Sequence, residues 1–115
     1  MAEYIIFFCI LCFAALLMIG IGILQLRSKD PVGFYTGVPP LKVGQLRDVE
    51  AWNKKHGRMW VIYGFAIMGC GFASVLAGVL GCGSVLLTIA ECAVIIGGIF
   101  VMMWYHIRLE KMYRI

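Results

Sequence analysis

The chain has 115 residues, of which 63% are apolar or aromatic and 14% are charged, with a net charge of +4. Ordinary globular domains hold roughly 45–50% apolar and about 25% charged residues, and a small chain in water needs more polar surface than this one supplies. A soluble enzyme, a disordered chain and a disulfide-stapled secreted domain are therefore poor fits, which leaves a chain whose solvent is lipid.

The apolar residues fall in three blocks, 4–26, 59–80 and 85–105, each 21 to 23 residues long. Roughly 20 helical residues cross a ~30 Å hydrocarbon core, and a helix satisfies its own backbone there. The pattern predicts an all-α membrane protein, one integral membrane domain over 1–115, with three transmembrane helices. The first block carries no charge, and Gln25 is its most polar residue. It follows Met-Ala-Glu rather than a basic n-region, and its apolar run exceeds that of a cleaved signal, so it is expected to be retained.

Residues 27–58 are the only substantial polar stretch. Asp30-Pro31 and Pro39-Pro40 exclude a helix through its first part. After Gly44, the residues Leu46, Val49, Trp52, His56, Met59, Trp60 and Tyr63 recur at helical steps. That stripe predicts an interfacial amphipathic helix on the inner membrane surface, leading into the second span with a bend near Gly57. Trp52 reads as an interfacial anchor. His56, among Lys54, Lys55 and Arg58, reads as solvated or facing lipid headgroups.

Gly33-Phe34-Tyr35-Thr36, followed by Trp52, His56 and Gly57, resembles the SdpI/YhfL family of small bacterial membrane proteins. Those carry a Gly-Tyr-Arg-Thr-like element and then Trp-x-x-x-His near the start of a transmembrane helix. The resemblance covers roughly residues 31 to 105; Phe34 stands where the family usually has Tyr, and Tyr35 where it has Arg. It implies a multi-pass protein that gives immunity to a secreted toxin or holds a regulator at the membrane, with Gly33, Phe34, Thr36, Trp52, His56 and Gly57 as the motif. Beside it stands a plainer reading, in which Gly33, Thr36 and Gly37 form turns.

The second and third spans meet across the short turn at Cys82. One stripe of the second holds Trp60, Tyr63, Ile67, Gly71, Ser74 and Gly78, and its small residues allow close approach. The third span contains the one charge within the three blocks, Glu91. A tight turn sets Ser74 level with Glu91 and Tyr63 level with Met102, so Glu91, Thr88, Ser74 and Tyr63 form an expected intramembrane polar site. Two readings of Glu91 stand together. In one it is protonated and hydrogen-bonded for helix packing; in the other it binds a proton, a cation or a cationic substrate within an oligomer.

All ten Lys and Arg residues lie in 27–58 or after position 105. The positive-inside rule then predicts an inner or plasma membrane protein with its N-terminus outside and both the 27–58 connection and the 106–115 tail cytoplasmic. Trp60, Tyr63, Trp104 and Tyr105 are expected to form an aromatic belt there. The net charge is explained by topology and anionic lipid, and no nucleic-acid partner is expected. Cys9, Cys12, Cys70 and Cys92 read as small packing residues; without a second CxxC or a His pair, no metal site or cofactor is expected.

No phosphate loop, HExxH or nucleophile elbow is present, so no enzyme is expected. The leading expectation is a non-enzymatic membrane protein that acts by binding the bilayer and a protein partner, or itself through Gly-rich helix faces. The alternatives are a small oligomeric ion- or proton-coupled transporter or channel subunit using Glu91, and an accessory packing subunit of a larger complex.

Overall fold

The computed structural model describes residues 2–33, 41–82 and 85–115. Phe34 and Thr36 of the family-like motif, with Tyr35 and the Pro39-Pro40 pair, lie outside the described residues. Three helices dominate: α1, Ala2–Arg27, α2, Val49–Leu80, and α3, Val85–Tyr113. Each is long and apolar enough to cross a membrane. A single 3₁₀ turn, Val43–Gln45, lies between α1 and α2.

The helix ends follow from local chemistry. Asp48 precedes α2, and its carboxylate accepts the Ala51 N–H at 3.0 Å. Such a cap satisfies one of the donors that a helix N-terminus leaves free. At the far end Gly81 takes a left-handed φ of 70°, and the Cys82 N–H reaches back to the Ala77 carbonyl at 2.9 Å. Glycine adopts that conformation without a Cβ penalty. The chain thereby reverses, and α3 returns antiparallel to α2.

α2 has 32 residues, about 48 Å of helix, well beyond one hydrocarbon core. Its charge-free part is 59–80, the length of one crossing, and residues 49–58, which hold every charge of the helix, precede it. The expected amphipathic helix is therefore present as the first turns of α2, and it continues as one helix through Gly57, near which a bend is expected. Gly57 serves a different geometry. A Cβ there would sit 2.6 Å from Leu26 Cγ and 2.7 Å from the Gly22 carbonyl oxygen of α1.

α1 and α3 both pack on α2, in different ways. On the α1 side the small residues Gly57, Gly64 and Gly71 recur every seven positions and face Gly22, Ala15 and Phe8, which also recur every seven. A seven-residue repeat keeps one face of each helix against the other along a left-handed crossing, and small residues let the two backbones close. Gly71, expected on the α3 side, thus faces Phe8 and Leu11 of α1 instead. On the α3 side the facing residues are bulky: Trp60, Tyr63, Ile67 and Met102 are buried there or beside it. Gly98 of α3 receives the Tyr63 ring so closely that a Cβ at this position would lie only 2.5 Å from Cε1. Large side chains hold these two helices further apart and leave a groove between them.

The aromatic belt is only partly realised. Trp104 is exposed, with Arg108 5.4 Å from its ring centre, whereas Trp60 and Tyr63 are buried between helices. Apolar side chains such as Leu24, Phe65, Phe72, Leu86 and Phe100 point outward, which suits lipid contact along the spans.

Candidate functional site

Two places concentrate polar side chains inside the bundle. The first is the seam between α2 and α3. Glu91 is buried, and the Ser74 hydroxyl lies 2.8 Å from one carboxyl oxygen and 2.6 Å from the other. A hydroxyl has one proton to donate. It faces both carboxyl oxygens at once, a three-centre arrangement in which one O–H is shared between two acceptors. Tyr63 does not join them: its hydroxyl donates to the Ile95 carbonyl at 2.7 Å, and its ring sits on Gly98, one turn from the Met102 level expected. Thr88, one turn from Glu91, is exposed and so lies off the buried face. The seam brings Ser74 and Glu91 together, while the Tyr63 hydroxyl is committed to Ile95.

The second place is the basic end of the bundle, where the connection folds back over α2. Trp52 and Asn53 hold it. The Trp52 indole N–H donates to the Val32 carbonyl at 2.8 Å, while the Val32 N–H donates to Asn53 Oδ1 at 3.0 Å. The Asn53 amide also donates to the Ser28 and Asp30 carbonyls at 3.1 and 2.8 Å. Gln25 of α1 donates to the Gly33 carbonyl at 3.1 Å. Residues 28–33, partly exposed themselves, are thus clamped by three side chains that pair with their backbone groups.

The C-terminus closes the same end. Arg47 N–H donates to the Tyr113 carbonyl at 2.8 Å, and Ile115 N–H donates to the Gln45 carbonyl at 2.9 Å, beside an antiparallel bridge between Leu46 and Arg114. Under this lid Leu46, Trp52 and Leu109 form a small core. Trp52 is 1% exposed and His56 0%. The expectation of an exposed Trp anchor and a solvated His is corrected: the connection and the C-terminal end of α3 fold over this face of α2 and bury both side chains.

His56 and His106 meet at the centre of this end. His56 Nδ1 lies 2.8 Å from the Trp52 carbonyl, and His56 Nε2 lies 2.8 Å from His106 Nδ1. A carbonyl can only accept, so the network assigns a proton to His56 Nδ1. His56 Nε2 then accepts from His106 Nδ1–H, and His106 Nε2 faces the Glu110 carboxylate at 3.9 Å. Trp52 flanks both rings, at centroid distances of 4.2 and 5.7 Å. Burial pushes His56 down to about 4, with the Trp52 carbonyl opposing and the His106 ring adding to the push. Burial also lowers His106, against the pull of Glu110. Two neutral imidazoles in a line of hydrogen bonds are the result.

Sequence reasoning missed His106, Asn53 and Glu110 as members of this site. The signal for His106 was present: the antiparallel turn that sets Ser74 beside Glu91 also brings position 106 within a turn of position 56. Asn53 lies beside the apolar stripe and off its period, so periodicity carries no mark of it. Among the described residues, no three His, Cys, Asp or Glu side chains converge as a metal site would need. The five cysteines are free thiols, with Cys70 buried. Comparison with family models, with curated proteins and with solved structures gives no match.

Proposed function

We propose that this chain is a non-enzymatic integral membrane protein that works by binding a protein partner at its basic end, in the manner of the bacterial toxin-immunity and signalling proteins that its motif resembles. On this reading the N-terminus is outside, the basic end is cytoplasmic, and the membrane is the bacterial inner membrane. The orientation is supported by the Lys and Arg residues, which lie at one end and favour the cytoplasmic side.

One observation carries the reading: Trp52, Asn53 and Gln25 expend their polar groups on fixing residues 28–33. A connection that served only to join two spans would need no such clamp. A preorganised surface lowers the ordering cost of binding, and here it presents exposed Arg47, Glu50 and Lys54. Trp52 and His56 shape this surface from beneath and do not touch the partner.

The test is survival of a peptide-toxin-sensitive bacterium expressing the chain. The expected result is protection by the wild type, lost in Arg47→Glu and Lys54→Glu variants that reach the membrane at normal levels. No protection by the wild type removes the immunity role; full protection by both variants removes this surface as the binding site.

Buried Glu91 supports a second reading, an oligomeric proton- or ion-coupled transporter. An ionisable side chain at that depth is costly enough to suggest use. Flux into liposomes that is present with the wild type and absent with Glu91→Gln would establish it.

A further inference from the structure

We infer that the groove between α2 and α3 is a binding site for one anionic phospholipid, with an acyl chain lying along the groove and its phosphate between Lys55 and Arg58. The groove has a volume of about 500 Å³, within the range of roughly 300–1,000 Å³ typical of small-molecule sites. Its walls are Met59, Ile62 and Ala66 of α2 and Val94, Val101 and Met102 of α3. The floor is the Tyr63 ring against Gly98, and the Tyr63 hydroxyl is already committed to the Ile95 carbonyl. The groove body therefore offers apolar surface and no polar group in want of a partner, which suits a hydrocarbon chain.

Length and charge name the occupant. From Lys55 to Ala66 along α2 is about 16 Å of helix, and the facing run from Tyr105 to Val94 on α3 is the same. That is about half of a ~30 Å hydrocarbon core, the depth of one leaflet. At the mouth stand Lys55 and Arg58, and no acidic side chain is among the described residues that line the groove. Lys55 is held over the Tyr113 ring, 5.1 Å from its centre, and Arg58 is exposed. Two cations one helical turn apart, at the membrane-surface end of an apolar slot of single-leaflet depth, match a phosphate diester carrying net negative charge. A zwitterionic lipid would set its own ammonium against them. The inference needs the membrane-spanning fold and does not depend on the partner proposed above.

The experiment is native mass spectrometry of the full chain released from micelles containing equal phosphatidylglycerol and phosphatidylcholine. The expected result is one retained phosphatidylglycerol per chain, preferred by about thirtyfold if each cation contributes as a surface Lys or Arg does. Lys55→Gln with Arg58→Gln removes the preference. Ala66→Trp, which fills the groove, removes the retained lipid. Lys29→Gln, on the opposite seam beside Leu26 and Asn53, changes neither. Near-ultraviolet circular dichroism of each variant confirms the fold, and if Ala66→Trp unfolds the chain, Val94→Phe fills the groove from the α3 side. Equal retention of the two lipids by the wild type overturns the inference. So does a preference that survives both groove-filling and charge removal, a loss of preference in Lys29→Gln as large as in the double variant, or a lipid-free dimer with the groove covered by a second copy.

Discussion

Nε2 of His56, on α2, lies 2.8 Å from Nδ1 of His106, on α3, in a pair fifty positions apart in the chain. His56 is fully buried, while His106 keeps part of its surface exposed. The polarity of the pair is set from outside: the Trp52 carbonyl accepts from His56 Nδ1–H, and an added proton on His106 Nε2 would face the Glu110 carboxylate. The basic end is accordingly a neutral, hydrogen-bonded core at pH 7 that acid opposes.

The first prediction is a loss of stability on acidification. His56 falls from its ordinary 6.5 to about 4 on folding. Between those values the unfolded chain binds more protons than the folded one, so stability is full above 6.5 and declines as pH falls towards 4. From pH 7.5 to pH 5 the decline is about 2 kcal/mol, and the lowered His106 adds in the same direction. Thermal unfolding in detergent at the two pH values measures it. His56→Gln has a smaller difference between them; an equal difference would assign the acid response to other groups.

The Asn53 side chain makes three hydrogen bonds to residues 28–32. Asn53→Leu keeps its size and removes all three. Because Ser28, Asp30 and Val32 are partly exposed, water can take over some of these groups, and the expected cost is about 0.5–1.5 kcal/mol per bond. Amide exchange at Val32 rises at least tenfold in the variant, while exchange within 59–80 is unchanged. Protection at Val32 equal to that of the wild type would show that the clamp lies elsewhere.

Gly57→Ala and Gly64→Ala place a methyl 2.7 Å from the Gly22 oxygen and 2.9 Å from the Ala15 oxygen respectively. Backbone oxygens cannot swing aside, so α1 must move away, at about 1–3 kcal/mol. Gly69, with nothing within 4 Å of its Cβ position, is the control: alanine there is neutral or stabilising by up to about 1 kcal/mol through helix propensity. Unfolding midpoints in detergent should order as Gly69→Ala at or above wild type, and both others below it.

Ser74→Ala removes the hydroxyl that donates to the Glu91 carboxyl. Side-chain hydrogen bonds between membrane helices average about 0.6 kcal/mol and reach about 1.7, and a drop in the upper part of that range is expected because the carboxyl stays buried. Glu91→Gln retains a donor and an acceptor for Ser74 and changes stability by less than about 0.5 kcal/mol. If the chain acts by binding, neither variant alters survival in the toxin assay.

The spans were legible in the sequence because lipid imposes a length and an all-round apolarity that no other context imposes on a small chain. The Ser74–Glu91 contact was legible for a related reason, since one tight turn sets the register of two antiparallel helices. The faces were less so. Gly71 lies within reach of two seams, and the stripe it shares with Ser74 and Gly78 does not choose between them; the seven-residue recurrence of Gly57, Gly64 and Gly71 is the pattern that selects α1. Trp52 and His56 were read as surface residues because the stripe they belong to looks amphipathic alone. Their burial depends on residues 28–33 and 41–47 folding back; the first return is fixed by Asn53 and Gln25 and the second by backbone bonds to residues 113–115, and pairing to backbone atoms leaves no periodic trace.

The central claim is a membrane-spanning bundle whose folded basic end faces the cytoplasm, where its partner is. Maleimide labelling in intact cells tests it most directly, using two single-cysteine chains in which the other native cysteines are replaced: one keeps exposed Cys82, the other carries Lys54→Cys. A membrane-impermeant maleimide is expected to label Cys82 in intact cells and to reach position 54 only after permeabilisation. Labelling of position 54 in intact cells, with Cys82 protected, would contradict it.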